Sequence, residues 1–488
     1  MLSRLLPTLA LATTVFAPGI AAQTITQIID ACGDGTSILD GSFGIVVDSS
    51  GNAFVTGQDS DNAFKITPGG VITEILDATG DGVNLFTTGL APAVDGAGNV
   101  FVPGLDSDNV FRITPAGVVT EVIDATGDGM GNGLDRPFSV TADAAGNIYV
   151  TGNATHNVFK ITPGGVVTEI IDASGDGMGN NLSGPSGIEV DAGGNVYVSG
   201  QSSNNVFKIT PGGVITEIID TTGDGMGNVM IGPEWLAVDG GGNVYASCYG
   251  SNNAFKITPA GVVTEIIDST GDGLGGVLTG GEGIDTDSAG NVYVAGWGSH
   301  RLFKITPNGV ITVVLSNMLV PFFGGRGVAV DANDNVYVCG FHTDNAYMLS
   351  FPPGSVGTNY CLSVSNSTGF ASMISATGSA SISADDLVLS ADNLPSQPGI
   401  FIAGPGQVQV PFFNGFLCID PNGLQRFLNT AAPTGGVIME AVDYATAAAG
   451  GLNVVAGSSF NFQRWNRDPA GGAGNANFSN GLEVIHTP

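Results

Sequence analysis

Apolar and polar side chains alternate in short runs along most of this chain, and the runs recur. In Val206-Phe207-Lys208-Ile209-Thr210, Phe207 and Ile209 face one way and Lys208 and Thr210 the other. A period of two is that of a half-buried strand, not a helix. Around this run lie three more short runs of the same kind, at residues 187–190, 195–199 and 214–219. Gly, Asn, Asp and Pro separate them, each favouring a turn for its own backbone reason. The elements predicted are four short strands joined by tight turns.

The four-strand unit repeats. Phe-Lys-Ile-Thr-Pro starts at Phe64, Phe111 (with Arg112 for Lys), Phe159, Phe207, Phe255 and Phe303, with Ala346-Tyr347-Met348-Leu349-Ser350 as a worn seventh copy. A second marker, Asp-x-x-Gly-Asn before an apolar-aromatic pair, runs in phase from Asp48, Asp95, Asp143, Asp191, Asp239 and Asp287, and reads Asp-Ala-Asn-Asp-Asn at Asp331. Four strands repeated radially describe a propeller blade. The seventh unit lacks its fourth strand, while Ile25-Thr26-Gln27-Ile28-Ile29-Asp30 is an orphan copy matching residues 215–220. The reading is therefore all-β: a seven-bladed β-propeller over residues 23–351, closed by an N-terminal strand that leaves no unpaired edge.

Composition changes after that region. Residues 352–358 read as a linker, and 359–488 carry no repeat but strand-like runs at 379–383, 386–390, 400–403 and 408–412, with a turn at 420–423. They predict a C-terminal β-sandwich-like domain. Arg4, an apolar stretch over 5–16 and Ala21-Ala22 compose a signal peptide over 1–22, so the expected location is secreted or at the cell surface. No other stretch reads as a membrane span. Export permits disulfides. Of the five cysteines, Cys361 and Cys418 both lie in the C-terminal region and are the preferred pair. A net charge of −31 repels phosphate backbones, which argues against nucleic acid as a partner, and it favours cations. A monomer is expected.

Two sets of loops carry candidate chemistry. Three of the four histidines, His156, His300 and His342, fall in the connections between second and third strands, near Trp297, Arg301, Phe341 and Tyr249. Just before the innermost strands lie Glu234, Trp235, Glu282 and Arg326. Together these would line the mouth of the central channel, where a His–carboxylate group can bind one divalent metal or work as acid and base. Glu282 and His300 are the catalytic candidates. Glu234, Trp235, Trp297, Arg301, Arg326 and His342 are the ligand-binding candidates. The other set is Asp-x-(Thr/Ser)-Gly-Asp-Gly, with paired carboxylates at Asp77 and Asp81, Asp124 and Asp128, Asp172 and Asp176, Asp220 and Asp224, and Asp268 and Asp272. Its spacing is that of the front half of an EF-hand loop and points to Ca²⁺, although Ser183 and Ile231 stand where two copies would need the bidentate Glu. As turns between blades, the same loops need only aspartate caps.

The text Ala192-Gly193-Gly194-Asn195-Val196-Tyr197-Val198, followed by Phe207-Lys208-Ile209-Thr210-Pro211-Gly212-Gly213-Val214-Ile215-Thr216-Glu217, resembles NHL-type repeats, especially those of the streptogramin lyase group. The resemblance covers about two thirds of the chain. It implies a scaffold shared by binding modules, lyases and lactonase relatives, the lyases being metal-assisted enzymes that use His and Glu on one face of the ring. Tyr360-Cys361, residues 406–412, Gly415-Phe416-Leu417-Cys418 and residues 460–469 resemble a C-terminal module of exported planctomycete-like proteins, which implies attachment or sorting. The expected function is a binding module for an extracellular protein, glycan or small ligand. The alternative is a metal-assisted lyase or lactonase-like hydrolase.

Overall fold

The computed structural model describes residues 12–15, 23–273 and 275–351, and beyond them 358–359, 367–368, 372–377, 387–413, 415–422, 424–426, 432–433, 437–442, 459–469 and 476–485. After residue 24 the chain divides into two compact units, Ile25–Ser350 and Phe351–Pro488. Among the described residues no helix is long and apolar enough to cross a membrane.

In the first unit, six four-stranded antiparallel sheets follow one another along the chain: sheet 1 (residues 42–76), sheet 2 (93–123), sheet 3 (137–171), sheet 4 (185–219), sheet 5 (233–267) and sheet 6 (281–316). Sheet 7 has three strands from residues 325–350. Its outer side is completed by Gln23–Ile29, which pairs with Asn345–Ser350 and is followed outward by Ala12–Val15. Ile25 and Ile29 of that strand are buried.

Both repeat markers are explained by packing. The Phe of Phe-Lys-Ile is fully buried in all six copies, from Phe64 to Phe303. Removing a Phe side chain from such a site costs about 3–5 kcal/mol. The Lys lies across an aromatic ring of the neighbouring strand, Lys65 over Phe54 and Lys208 5.6 Å over Tyr197. That hydroxyl donates to Asp191 (3.0 Å), whose carboxylate also accepts from Asn195 N and Nδ2. The Asp-x-x-Gly-Asn marker is therefore a capped turn. The apolar clusters span neighbouring sheets: one joins Tyr149, Val158 and Ile171 of sheet 3 to Ile188, Val198 and Phe207 of sheet 4.

First strands of successive sheets pack directly on one another. A Cβ added to Gly283 in sheet 6 would lie 2.1 Å from Arg326 O in sheet 7, and one at Gly327 would lie 2.9 Å from Phe43 O in sheet 1. These strands are thus the innermost ones, and glycine is required where their backbones approach. In sheets 1, 3, 4, 5, 6 and 7 the first strand also breaks register near its start, as between Gly281 and Ile284. A bulge of this kind re-aims side chains.

In the second unit, strands Val388–Asp392, Gly399–Gly404 and Gln407–Phe412 form where the runs at 386–390, 400–403 and 408–412 predict them. The run at 379–383 lies outside the described residues. A six-stranded sheet built on Ser459–Arg467 and Gly399–Gly404, with Ala476–Phe478 paired beside it, is accompanied by a three-stranded sheet and a hairpin. Phe401, Phe460, Phe462, Leu389 and Ile374 share one core. Cys418 is disulfide-bonded, while Cys32, Cys248 and Cys339 are free; Cys361 lies outside the described residues.

Candidate functional site

The position five residues before each Asp marker lies at or just before the start of the innermost strand. Around the sheets it reads Phe43, Leu90, Phe138, Ser186, Glu234, Glu282, Arg326. Three of the seven are apolar, and Phe43 and Leu90 form one cluster with Leu105, against which Phe138, Trp235 and Phe341 pack. Three more, Glu234, Glu282 and Arg326, are charged. Arg326 Nη1 lies 3.6 Å from Glu234 Oε1 and 3.4 Å from Glu282 Oε1. Its guanidinium sits 4.5 Å from the Phe43 ring centre and 4.4 Å from that of Trp297. Trp235 Nε1 donates to Glu282 Oε2 at 3.0 Å.

Two carboxylates therefore share one cation in a largely dry setting. Glu282 is fully buried. Burial, reinforced by the Glu234 carboxylate, pushes its pKa well above the usual range, and Arg326 and Trp235 pull it back only in part. Burial also raises Glu234, against the pull of Arg326. Burial thus favours the protonated form of Glu282. Its Oε1 has no hydrogen-bond partner among the described residues, and neither does Arg326 Nε.

Of the candidates that the sequence singles out, Glu234, Trp235, Glu282, Arg326 and Trp297 are brought together. His342 joins them at the edge, its ring 4.6 Å from Trp297. Arg301 does not; its Nη1 donates to Ser299 O at 3.5 Å. His300 has a different task. Its backbone is left-handed (φ 54°), and its Nδ1 accepts from Gly324 N at 3.0 Å. Asp61, Asp108, His156, Asn204, Asn252 and Asp344 occupy the same place in their sheets, all with φ between 49° and 59°. Each accepts one backbone N–H of the next sheet: Thr88, Arg136, Gly184, Gly232, Gly280 and, from Asp344 back to sheet 1, Gly41. Among the described residues no hydrogen bond or ion pair joins His300 to Glu282.

The Asp-Gly loops are capped from within. Asp77, Asp124, Asp172, Asp220 and Asp268 each accept the N–H and hydroxyl of the Thr or Ser two residues on. Asp81 accepts Val83 N and Asn84 N; Asp128, Asp176 and Asp224 accept from Met130, Met178 and Met226 N and from the Asn that follows, and Asp272 from Gly276 N. Among the described residues no three or more His, Cys, Asp or Glu side chains gather in a metal-holding arrangement, in these loops or at the mouth.

Two further acids escape a motif-based reading. Two residues before the Asp marker the ring reads Val46, Ala93, Thr141, Glu189, Ala237, Asp285, Ala329. Glu189 and Asp285 are enclosed by protein but keep part of their surface open. Burial and the Asp285 charge push Glu189 up to about 8, and burial pushes Asp285 up to about 7. Aligning the repeats on the marker Asp is the signal that exposes both them and Phe43 and Phe138.

A family model described as a β-propeller repeat matches residues 129–160. Among curated proteins none matches the chain. Among solved structures, a streptogramin B lyase is 16% identical with a TM-score of 0.52, covering 67% of this chain and 97% of its own. Virginiamycin B lyase from Staphylococcus aureus is 18% identical with a TM-score of 0.53, covering 67% and 99%. A catalytically inactive form of the S. aureus enzyme with quinupristin is 18% identical with a TM-score of 0.54, over the same shares. Identities this low speak to the fold, and the fold they show is an NHL-like, streptogramin-lyase-like β-propeller.

Proposed function

We propose that sheets 1–7 are the seven blades of one closed ring, that the C-terminal unit is a β-sandwich, and that the protein is an exported binding module holding a small ligand at the mouth of the ring. The observation that carries the binding reading is the two-sided rim. Phe138, partly exposed and backed by buried Phe43 and Leu90, offers an apolar side, and beside this cluster the buried Glu282 and Arg326, held between Phe43 and Trp297, offer fixed polar groups. Apolar lining with a few convergent polar groups is the composition of a ligand site. The ligand this suits is amphipathic, with a flat apolar part and a hydrogen-bond acceptor for the Glu282 acid. Export rests on the N-terminal signal pattern.

A screen of small ligands by thermal shift, repeated on Glu282→Gln and Phe138→Ala, tests this. Hits that both variants weaken at least tenfold support the mouth as the site. Hits indifferent to both changes place binding elsewhere and defeat the reading.

The second reading is a lyase or lactonase-like hydrolase, favoured by one observation, a fully buried carboxyl, Glu282, set against Arg326 and a second carboxylate. Glu282 would give its proton to a leaving group. Glu234 and Glu282 are paired with Arg326, and His300 accepts from Gly324 N. Turnover of lactones or cyclic depsipeptides that Glu282→Gln abolishes would favour this reading over simple binding.

A further inference from the structure

The C-terminal unit contains a cavity of about 550 Å³, a size suited to a small organic ligand. Its origin is the period of two along the central sheet. Cross-strand pairs join Ile400 to Trp465, Trp465 to Phe478, and Ile402 to Arg426, which sets these residues on one face. The alternate residues, Phe401, Ala403 and Phe462, fill the main core on the other face. The hairpin Gln407–Phe412 and Gly415–Ile419 only partly covers the first face. It is held by Gln463 Oε1, which accepts from Cys418 N at 3.0 Å, and by Leu417 and Ile419 packed on Ile402 and Phe478.

Two features of the cavity point to a ligand. Phe413, in the turn of that hairpin, has φ 53° and is 58% exposed, yet its ring stacks on Phe478 at 6.5 Å and 16°. A bulky residue in the left-handed region is strained, and the strain here holds an exposed aromatic ring at the cavity wall. Arg426 is the second feature. It lies exposed at the rim, and its side chain makes no hydrogen bond or ion pair among the described residues, in a chain whose net charge is −31.

We propose that this cavity binds one small amphiphilic monoanion per chain, with its apolar body against Trp465, Phe413 and Phe478 and its anionic head on Arg426. The site is separate from the propeller mouth, so the proposal stands or falls independently of the ligand read there. A guanidinium is suited to a carboxylate head. The aromatic walls accept a straight-chain or flat body.

The test is calorimetric titration of the whole mature chain with decanoate, below its micellar concentration. Decan-1-ol and decyltrimethylammonium serve as neutral and cationic controls of the same chain length. One saturable decanoate site is expected, with weaker binding of the alcohol and weakest of the cation. Arg426→Gln should lower decanoate affinity at least tenfold and leave the alcohol unchanged. Phe413→Ser should weaken both, with an unaltered melting curve because the ring is exposed. Leu417→Trp, which fills the cavity, should abolish binding. Absence of saturable decanoate binding to the wild-type chain overturns the proposal. So does binding that Arg426→Gln, or a folded Leu417→Trp variant, leaves unchanged.

Discussion

Of the positions that vary among the propeller repeats, two behave in opposite ways. At the first, just before each third strand, Asp61, Asp108, His156, Asn204, Asn252, His300 and Asp344 all make one contact, accepting a backbone N–H of the next sheet. Residue identity changes while the task stays fixed. Asp and Asn enter the left-handed region more readily than most residues and carry an acceptor at the right reach; a histidine with Nδ1 unprotonated does the same. At the second, five before the Asp marker, Phe43, Leu90, Phe138, Ser186, Glu234, Glu282 and Arg326 change identity and contacts together, from an apolar cluster to an ion-paired network. Variation under a constant contact marks scaffold. Variation with changing contacts marks the place where a repeat has been specialised.

The comparison presumes an intact ring, and the most damaging way to break it is to remove the strand Gln23–Ile29. Its loss exposes the edge of Asn345–Ser350 and deletes buried Ile25 and Ile29, each worth about 2–5 kcal/mol on truncation. A chain lacking residues 23–29 should therefore unfold at much lower urea. Superimposable urea curves would show that the sheet does not depend on it.

Next in size is Arg326→Ala. It leaves Glu234 and Glu282 facing one another without their shared cation, a loss of about 3–5 kcal/mol for a broken buried pair. A cost under 1 kcal/mol in the same titration would mean that the rim is solvated and that its charges are ordinary surface groups.

The deeper acids sharpen the contrast through pH. Glu189 stands at about 8 against an ordinary 4.5, and Asp285 at about 7 against 3.8. Their folded values are raised, so the folded state binds more protons than the unfolded state between the two sets of values. Stability should therefore fall as pH rises from about 4 to about 8. The Glu189→Gln/Asp285→Asn double variant should flatten that fall and gain on the order of 1 kcal/mol or more at pH 8. Parallel pH profiles for variant and parent would show that neither carboxyl is perturbed.

How much of this is legible in the sequence follows the same division. The buried Phe64 series and the Asp48 series recur with fixed spacing, so strand, turn and repeat read directly from the residues. Glu234, Glu282 and Arg326 can be placed beside one another because the repeat length fixes where each innermost strand begins. Phe43 and Phe138 cannot be told from core residues, since an aromatic side chain on a strand reads alike whether it faces a channel or a neighbouring sheet. His300 reads as chemistry because histidine is rare in this chain. Its partner, Gly324 N, is a backbone group 24 residues away, and no side-chain motif announces it.

His300 therefore offers a finer test of the comparison. His300→Asn should keep the acceptor and the left-handed backbone, as Asn204 and Asn252 do, and change stability by less than about 0.5 kcal/mol. His300→Ala should lose the contact, at about 0.5–1.5 kcal/mol. If the Asn variant instead abolished ligand binding or turnover while remaining as stable as the parent, His300 would belong with the specialised rim.

The smallest expected effect concerns the Asp-Gly loops, where side chain and contact both repeat. In each of the five copies from Asp77 to Asp268 the first carboxylate already accepts an N–H and a hydroxyl of the residue two on, and the fifth accepts one or more turn N–H groups. A Ca²⁺ ion needs six to eight oxygens, and recruiting these would mean giving up the bonds that shape the turn. Melting curves in EDTA and in millimolar Ca²⁺ should coincide within about 1 °C, which for a unit this large corresponds to well under 1 kcal/mol. A rise of several degrees in Ca²⁺, removed by Asp172→Asn with Asp176→Asn, would show that the loops rearrange around the ion. The repeated turns would then join the rim as functional sites.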